Sequence, residues 1–347
     1  MLIVQLMNRL IELASRVSWP MIGAVFVLLY GAGALLLDFS EPPGTAFHSI
    51  ADYSWWFLVT ITTVGYGDLA PASAIGRVTA AFIMIFGIST IGVVLGKVGQ
   101  ALFEIGRKRM RGQARLSVRG HLVIFGYSQG ETELMIDEIV ADPAWADRTI
   151  VLCSNFAEEN PLPDRVKFVR GQLSSDDVMD RACAAEADVI IIHSHDDSTT
   201  IVTAIAANAV NPAAHIVVNL ADPRNEKHIL RINPSIECVV PMIIPMTVQA
   251  LQDPGITRVM QALASNVRDD VLYRIDVPPA DGRGWAFGDL LESLKRRHET
   301  ILVGVAESGS SQDELKINPP SSYQVRGGMT LFYIAARRLD GLDWSSL

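Results

Sequence analysis

Residues 47–68, FHSIADYSWWFLVTITTVGYGD, decide how the rest of the chain is read. The first part, 47–62, is apolar and aromatic, yet too short to cross a bilayer core of about 30 Å, which takes about 20 helical residues. It ends on Thr63-Val64-Gly65-Tyr66-Gly67-Asp68, a string punctuated by glycine. Charge-free apolar runs lie on either side: PMIGAVFVLLYGAGALLL at 20–37 and VTAAFIMIFGISTIGVVLG at 78–96. Both are long enough to span. The segment between them is therefore a loop that returns into the membrane without crossing it.

Charge gives the orientation. Between Asp38 and Gly76 there is no Lys or Arg, while Asp38, Glu41, Asp52 and Asp68 lie there. Arg9, Arg16, Lys97, Arg107, Lys108, Arg109, Arg111, Arg115 and Arg119 lie on the other side. The positive-inside rule places both termini in the cytoplasm and the loop outside, in a cell (inner) membrane. Residues 1–19 form an N-terminal segment that reads either as an interfacial helix on the inner leaflet or as an extension of the first span.

The whole chain has 347 residues, 49% apolar and 19% charged, which excludes a disordered or fibrous protein. Residues 1–119 carry ten Lys/Arg against six Asp/Glu, and the remainder nineteen against thirty-two. A basic, apolar first third and an acidic remainder read as a membrane part plus a soluble part. The acidic part argues against nucleic acid as a partner. Cys153, Cys183 and Cys238 show no metal-site spacing and read as reduced structural thiols.

The string Thr63-Val64-Gly65-Tyr66-Gly67 resembles the selectivity filter of potassium channels. That resemblance implies four chains whose backbone carbonyls replace the water of a dehydrated K+. Carbonyls that all point at one axis need alternating left- and right-handed dihedrals, which Gly65 and Gly67 accept without a Cβ penalty. Trp55 and Trp56 stand where the family places a tryptophan cuff, and Asp68 where the family hydrogen-bonds it. Val59 stands where some relatives carry a buried acid. Gly87 lies 20 residues after Gly67, matching the family's hinge glycine; helix packing through small residues is the other reading. No span carries periodic arginines, so no voltage sensor is expected.

Residues 100–119 form a basic linker able to touch anionic lipid. From Gly120 the pattern turns α/β. Strands at 121–125, 149–153, 166–169, 189–192, 215–219 and 239–240 alternate with helices near 131–141, 175–184 and 198–209, predicting a parallel doubly wound sheet. Residues 245–269 read as a crossover helix broken near Pro254-Gly255. Residues 270–347 read as a second, α+β lobe, with strands near 273–277, 301–306, 315–317 and 330–335 and a helix at 286–298. The expected architecture is thus a pore domain at 20–99 (spans 20–37 and 78–98, pore helix 47–62, filter 63–67), a Rossmann-like lobe at 120–244, and a small C-terminal lobe.

The pair of lobes resembles the regulator-of-potassium-conductance (RCK) domain of prokaryotic two-span potassium channels, whose parts also occur in potassium-uptake subunits. The resemblance implies a homotetrameric pore, a cytoplasmic gating ring with further RCK domains, and a regulatory ligand. The loop after the first strand offers Gly126, Ser128 and Gly130, but the dinucleotide fingerprint needs glycine where Ser128 and Glu131 stand, and an acid where the second strand ends in Cys153-Ser154-Asn155. Family calcium ligands fall on His193, Asn219 and Ala221, which departs from the pattern. Nearby polar residues are His193, His195, Asp196, Asp197 and Asp222. They read as a divalent-cation or proton site, or as a solvated loop in which Asp197 or Ser198 caps the next helix. The sequence thus predicts a ligand-gated potassium channel with no catalytic step; a membrane-tethered nucleotide-binding subunit of a potassium transporter is the alternative. The ligand is left open among a divalent cation, a nucleotide and a proton.

Overall fold

The computed structural model describes residues 18–42, 47, 49–266, 270–279, 284–307, 315–339 and 341–344. The expected interfacial segment at 2–17 lies outside them. The chain divides into two compact units, Met1–Arg107 and Lys108–Leu347, each considered on its own.

In the first unit, α1 (Trp19–Ser40) and α3 (Ala74–Met110) are the two spanning helices, and α2 (Ile50–Ile61) is the short helix between them. Ser49 caps α2 by accepting from the Asp52 amide. Helix α2 packs through Tyr53, Trp56, Phe57 and Ile61 against Leu37, Ala80 and Ile83. The Tyr53 hydroxyl donates to the Tyr30 carbonyl at 2.9 Å, over a seat left by Gly33, where a Cβ would lie 2.5 Å from that hydroxyl. At the C-terminal end of α1, the Glu41 carboxylate accepts from the Ala72 amide (3.0 Å) and from the amide and hydroxyl of Ser73 (3.1 and 2.9 Å). Burial pushes this carboxyl up, but these bonds and Arg77 outweigh it and hold it below the ordinary carboxylate range.

Helix α3 gives the expected basic linker a helical first half. It does not end near residue 98 but runs on to Met110, covering half of the expected linker. Nothing between Gly99 and Met110 breaks a helix, and cations in its last turns suit its negative end. At about 1.5 Å per residue, Arg107 stands about 15 Å beyond Lys97 along the axis.

The second unit opens on a six-stranded parallel sheet in the order β3-β2-β1-β4-β5-β6. The strands are β1 (His121–Phe125), β2 (Ile150–Ser154), β3 (Lys167–Arg170), β4 (Ala187–Ile192), β5 (His215–Asn219) and β6 (Glu237–Val239). β1 and β2 are buried along their whole length, as expected of a sheet covered on both faces. Helices α4 (Glu131–Ala141), α5 (Asp176–Arg181), α6 (Asp197–Val210) and α7 (Glu226–Ile232) connect them. This is the Rossmann-like order, which reverses direction between β1 and β4.

The crossover is two helices, α8 (Ile243–Gln252) and α9 (Ile256–Ala264), broken where expected, with Gly255 at φ +102°. The C-terminal lobe holds β7 (Val271–Asp276), β9 (Ile301–Glu307), β10 (Lys316–Ile317) and β12 (Met329–Ala335) in an antiparallel sheet ordered β10-β9-β12-β7. A second, two-stranded sheet, β8 (Gly284–Ala286) with β11 (Gln324–Arg326), was not expected. Helix α10 (Phe287–His298) packs Phe287, Leu290 and Leu294 into a core with Val305, Leu331 and Tyr333. Helix α4 reaches the end of the crossover and this lobe: Glu138 accepts from the Ser265 hydroxyl and the Asn266 amide just after α9, both at 2.7 Å, and Asp142, which ends α4, accepts from Arg338 of the lobe at 2.9 Å.

Candidate functional site: the returning loop and the sheet crevice

The backbone of the returning loop alternates. Thr63, Gly65 and Gly67 have φ of +60°, +58° and +75°, whereas Val64 and Tyr66 stay out of that region. A Cβ on Gly65 or Gly67 would meet nothing within 4 Å, so the dihedral alone calls for glycine there. Thr63 is β-branched, and at positive φ it stores strain. The Val59 carbonyl accepts from the amides of Val64 (3.0 Å) and Gly65 (3.3 Å), drawing the turn back onto the end of α2. Among the described residues, no hydrogen bond within the chain reaches the carbonyls of 63–67.

Trp55 and Trp56 part company. The Trp55 indole donates to Asp68 at 2.8 Å and stacks on Tyr66 with ring planes 7° apart. Trp56, turned by one helical step, is buried beside Tyr53 and Phe47. Of the two tryptophans, Trp55 is the one that bonds and stacks with the loop. Gly87 lies in an unbroken stretch of α3, where a Cβ would come within 2.6 Å of the Ile61 side chain. That closeness gives the glycine a packing reason beside any hinge.

In the second unit, the crevice at the β1/β4 reversal is where an open α/β sheet binds ligands. Gly126 begins the loop after β1, at φ +114°, and a Cβ there would overlap the His193 carbonyl. The loop is thus pressed onto the end of β4, where the His193 amide donates to Phe125 at 2.8 Å. At Gly130 the space is open and φ is +86°.

The positive end of α4 is occupied by the chain itself. Glu133 takes the Gly130 amide (2.6 Å) and the Tyr127 hydroxyl (2.8 Å), while the Ser128 amide turns to the Thr132 hydroxyl (2.9 Å). Glu131 faces His193 at 3.1 Å, and that contact is the first cause holding its carboxyl below the ordinary range. The Gly-x-x-Glu spacing from Gly130 to Glu133 is a capping-box signal that the glycine reading passed over.

The polar residues after β4 do not converge. Asp196, rather than Asp197 or Ser198, caps α6, accepting from Thr199 at 2.8 Å. Asp197 instead holds the Ala221 and Asp222 amides and Asn225. The Arg224 guanidinium beside Asp222 takes that carboxyl down to about 2. His195 lies edge-on against Phe156. His193 bridges α4 and the end of β5, between Glu131 and Asn219. Among the described residues, no group of three His, Cys, Asp or Glu is placed to hold a metal.

Two family models match. "Ion channel" covers residues 22–104 and "TrkA-N domain" covers residues 147–240. The chain is 26% identical over 223 residues to "Putative potassium channel protein YugO" of Bacillus subtilis, covering 60% of this chain and 66% of that protein. It is 25% identical over 334 residues to "Calcium-gated potassium channel TvoK" of Thermoplasma volcanium, covering 90% of each. The solved "GsuK Channel" aligns with a TM-score of 0.46 at 17% identity, over 91% of this chain and 56% of that one, too distant a likeness to argue from.

Proposed function

We propose that this chain, which joins an ion-channel domain to a TrkA-N domain and is homologous to potassium channels, forms a K+-selective pore gated by a cytoplasmic ligand. The observation that carries the reading is the alternating backbone of 63–67, whose carbonyls accept no hydrogen bond from the described residues of the same chain. Unpaired carbonyls at membrane depth are tolerable only where they line a path for ions. Four copies around one axis would stack these carbonyls into rings at the spacing a dehydrated K+ needs. Thr63, Val64, Gly65, Tyr66 and Gly67 form the filter, and Trp55 with Asp68 braces it from behind. Trp56 supports it indirectly, through α2. Gly87 is the bending point of the inner helix. The basic residues inside and their absence from the outer loop place both termini in the cytoplasm.

The relatives are ion channels, and no catalytic step is assigned here. The crevice among Gly126, Ser128, Gly130, His193, His195, Asp196, Asp197 and Asp222 is the gating site. A ligand there moves the pore only by binding the open and closed forms unequally. A transporter subunit without a pore of its own leaves the dihedrals of 63–67 without a purpose.

The test is K+ flux into liposomes carrying the full chain. The native protein passes K+ in preference to Na+, and Gly65→Asp, which puts a side chain and a charge at φ +58°, abolishes the flux while the second unit keeps its circular dichroism. Flux that survives Gly65→Asp overturns the proposal.

A further inference from the structure

The gating site above leaves its ligand open, and this inference rests on that reading. We infer that the ligand of the crevice is a proton, taken up by His193 between Glu131 and Asn219.

Phosphate finds its usual seat filled. A nucleotide would place its phosphates on the free amides at the start of α4. Glu133 already holds the Gly130 amide, the Ser128 amide is held by Thr132, and Glu131 adds a second negative charge at the same helix end. A divalent cation finds too few ligands: Asp196, Asp197 and Asp222 are each committed to backbone or to Arg224.

His193 has what a proton needs. Its ring is largely buried, with side-chain exposure of 18%, and it touches three elements at the sheet reversal. Nε2 lies 3.1 Å from Glu131 Oε2 on α4, and Nδ1 lies 2.8 Å from Asn219 Nδ2 at the end of β5. Its backbone is held to the end of β1. In this arrangement the amide donates to Nδ1, so the ring is neutral and its one proton sits on Nε2, toward Glu131.

A second proton changes both contacts. The bond to Glu131 becomes charge-assisted. Nδ1 becomes a donor facing an amide donor, so Asn219 must turn to present its oxygen. Asn219 thus has two orientations, one for each charge state, and an imidazole ordinarily changes charge within the physiological range. The ionisable group the ring touches is Glu131 from α4; β5 presents the neutral Asn219, the Gly126–Gly130 loop carries Tyr127 with its hydroxyl turned to Glu133, and His195 in its own loop lies against Phe156 and close enough to Glu131 to act on it. Helix α4 is pulled at its first residue, and its far end holds the end of the crossover through Glu138 and the C-terminal lobe through Asp142.

Two measurements on the full chain in lipid nanodiscs or liposomes test this. In the first, the His193 imidazole carbon resonances are followed from pH 5 to 8.5, assigned by their loss in His193→Gln. One titration is expected, with its midpoint lowered in Glu131→Gln, which removes the anion, and raised in Asn219→Asp, which adds one. In the second, K+ flux is measured against pH on the cytoplasmic side. The native protein changes flux about fivefold or more across that range, an ordinary coupling strength, and His193→Gln loses the dependence.

Midpoints that do not move, or that move the same way in both variants, overturn the inference whether or not the protein conducts. Flux that answers to NADH, ADP or Ca2+ but not to pH overturns it in favour of that ligand. A protein that conducts under no condition, yet shows the opposed midpoint shifts, keeps the proton site and refutes the channel reading instead.

Discussion

Gly126 and Gly130 stand four residues apart, both at positive φ, and replacing each by alanine separates two demands that one loop makes on glycine. At Gly130 the new methyl group meets open space, so the cost is the dihedral alone, about 1–2 kcal/mol for an L-residue in the left-handed region. At Gly126 the same dihedral cost is joined by overlap with the His193 carbonyl. That carbonyl has nowhere to go: the His193 amide is tied to Phe125 at 2.8 Å and its ring to Glu131 and Asn219. Overpacking of this kind costs about 1–3 kcal/mol more. Gly126→Ala is therefore expected to cost about 2–5 kcal/mol, centred near about 3.5 kcal/mol, and Gly130→Ala about 1–2 kcal/mol. The assay is amide hydrogen exchange of β1 and β4 in the full chain, which reads the opening of this sheet apart from the membrane unit. Protection should fall a few hundredfold in Gly126→Ala and about tenfold in Gly130→Ala, at tenfold per 1.4 kcal/mol. Equal losses in the two variants would refute the close approach of loop and β4 on which the crevice reading depends.

Three further outcomes follow from single contacts. His121 is buried with Nε2 on the Ala182 carbonyl and Nδ1 without a partner, and burial pushes its pKa below the ordinary value. The unfolded chain then takes the proton first, so stability is full above about pH 6.5 and falls as pH drops below it; urea midpoints between pH 7.5 and 5.5 should show this slope, and His121→Leu should flatten it. Gly87→Ala drives a methyl group into Ile61 and should lower K+ flux at least tenfold; if packing is the reason, Ile61→Leu in the same chain restores it, whereas a lost hinge would stay lost. Asp68→Ala strips the acceptor from the Trp55 indole, a bond worth about 1–1.5 kcal/mol in each chain, and should lower the K+/Na+ flux ratio, while Asp68→Asn, which keeps an acceptor oxygen, should retain most of it.

Much of this was legible in the sequence because it is set locally. Length and freedom from charge mark the spans, and apolar runs between turn residues mark the parallel strands, since a strand buried on both faces cannot hide its composition. The alternating dihedrals of 63–67 follow from where the glycines stand. What stayed hidden depends on distant partners. β8 and β11 are three residues each, too short for any period, and exist only because Gly284–Ala286 meets Gln324–Arg326. Asp196, Asp197 and Ser198 are all able to cap a helix, and the path of the chain after β5 decides among them by drawing Asp197 to the Ala221 and Asp222 amides. Trp55 and Trp56 looked alike until α2 turned one toward Asp68 and the other into the helix packing. The tie between His193 and Glu131 joins residues 62 positions apart, and no spacing rule reaches that far.

The two candidate sites treat their backbone polar groups in opposite ways, and this bears on what each can bind. In the returning loop the amides of Val64 and Gly65 are spent on the Val59 carbonyl, and among the described residues no donor of the same chain reaches the row of carbonyls at 63–67. A row of acceptors attracts cations and repels anions, and backbone without partners at membrane depth is costly until something replaces water around it. In the crevice the reverse holds. The amides that a Rossmann-like sheet ordinarily offers to phosphate are already taken up by Glu133 and Thr132, and Glu131 makes the place more negative. The group left with a choice of partner is His193, whose neighbours Glu131 and Asn219 suit either of its charge states. On the two proposals made above, the same chain offers the carbonyls of one unit to a metal cation, and in the other turns the amides of Gly130 and Ser128 to its own side chains and leaves one nitrogen of His193 for a proton.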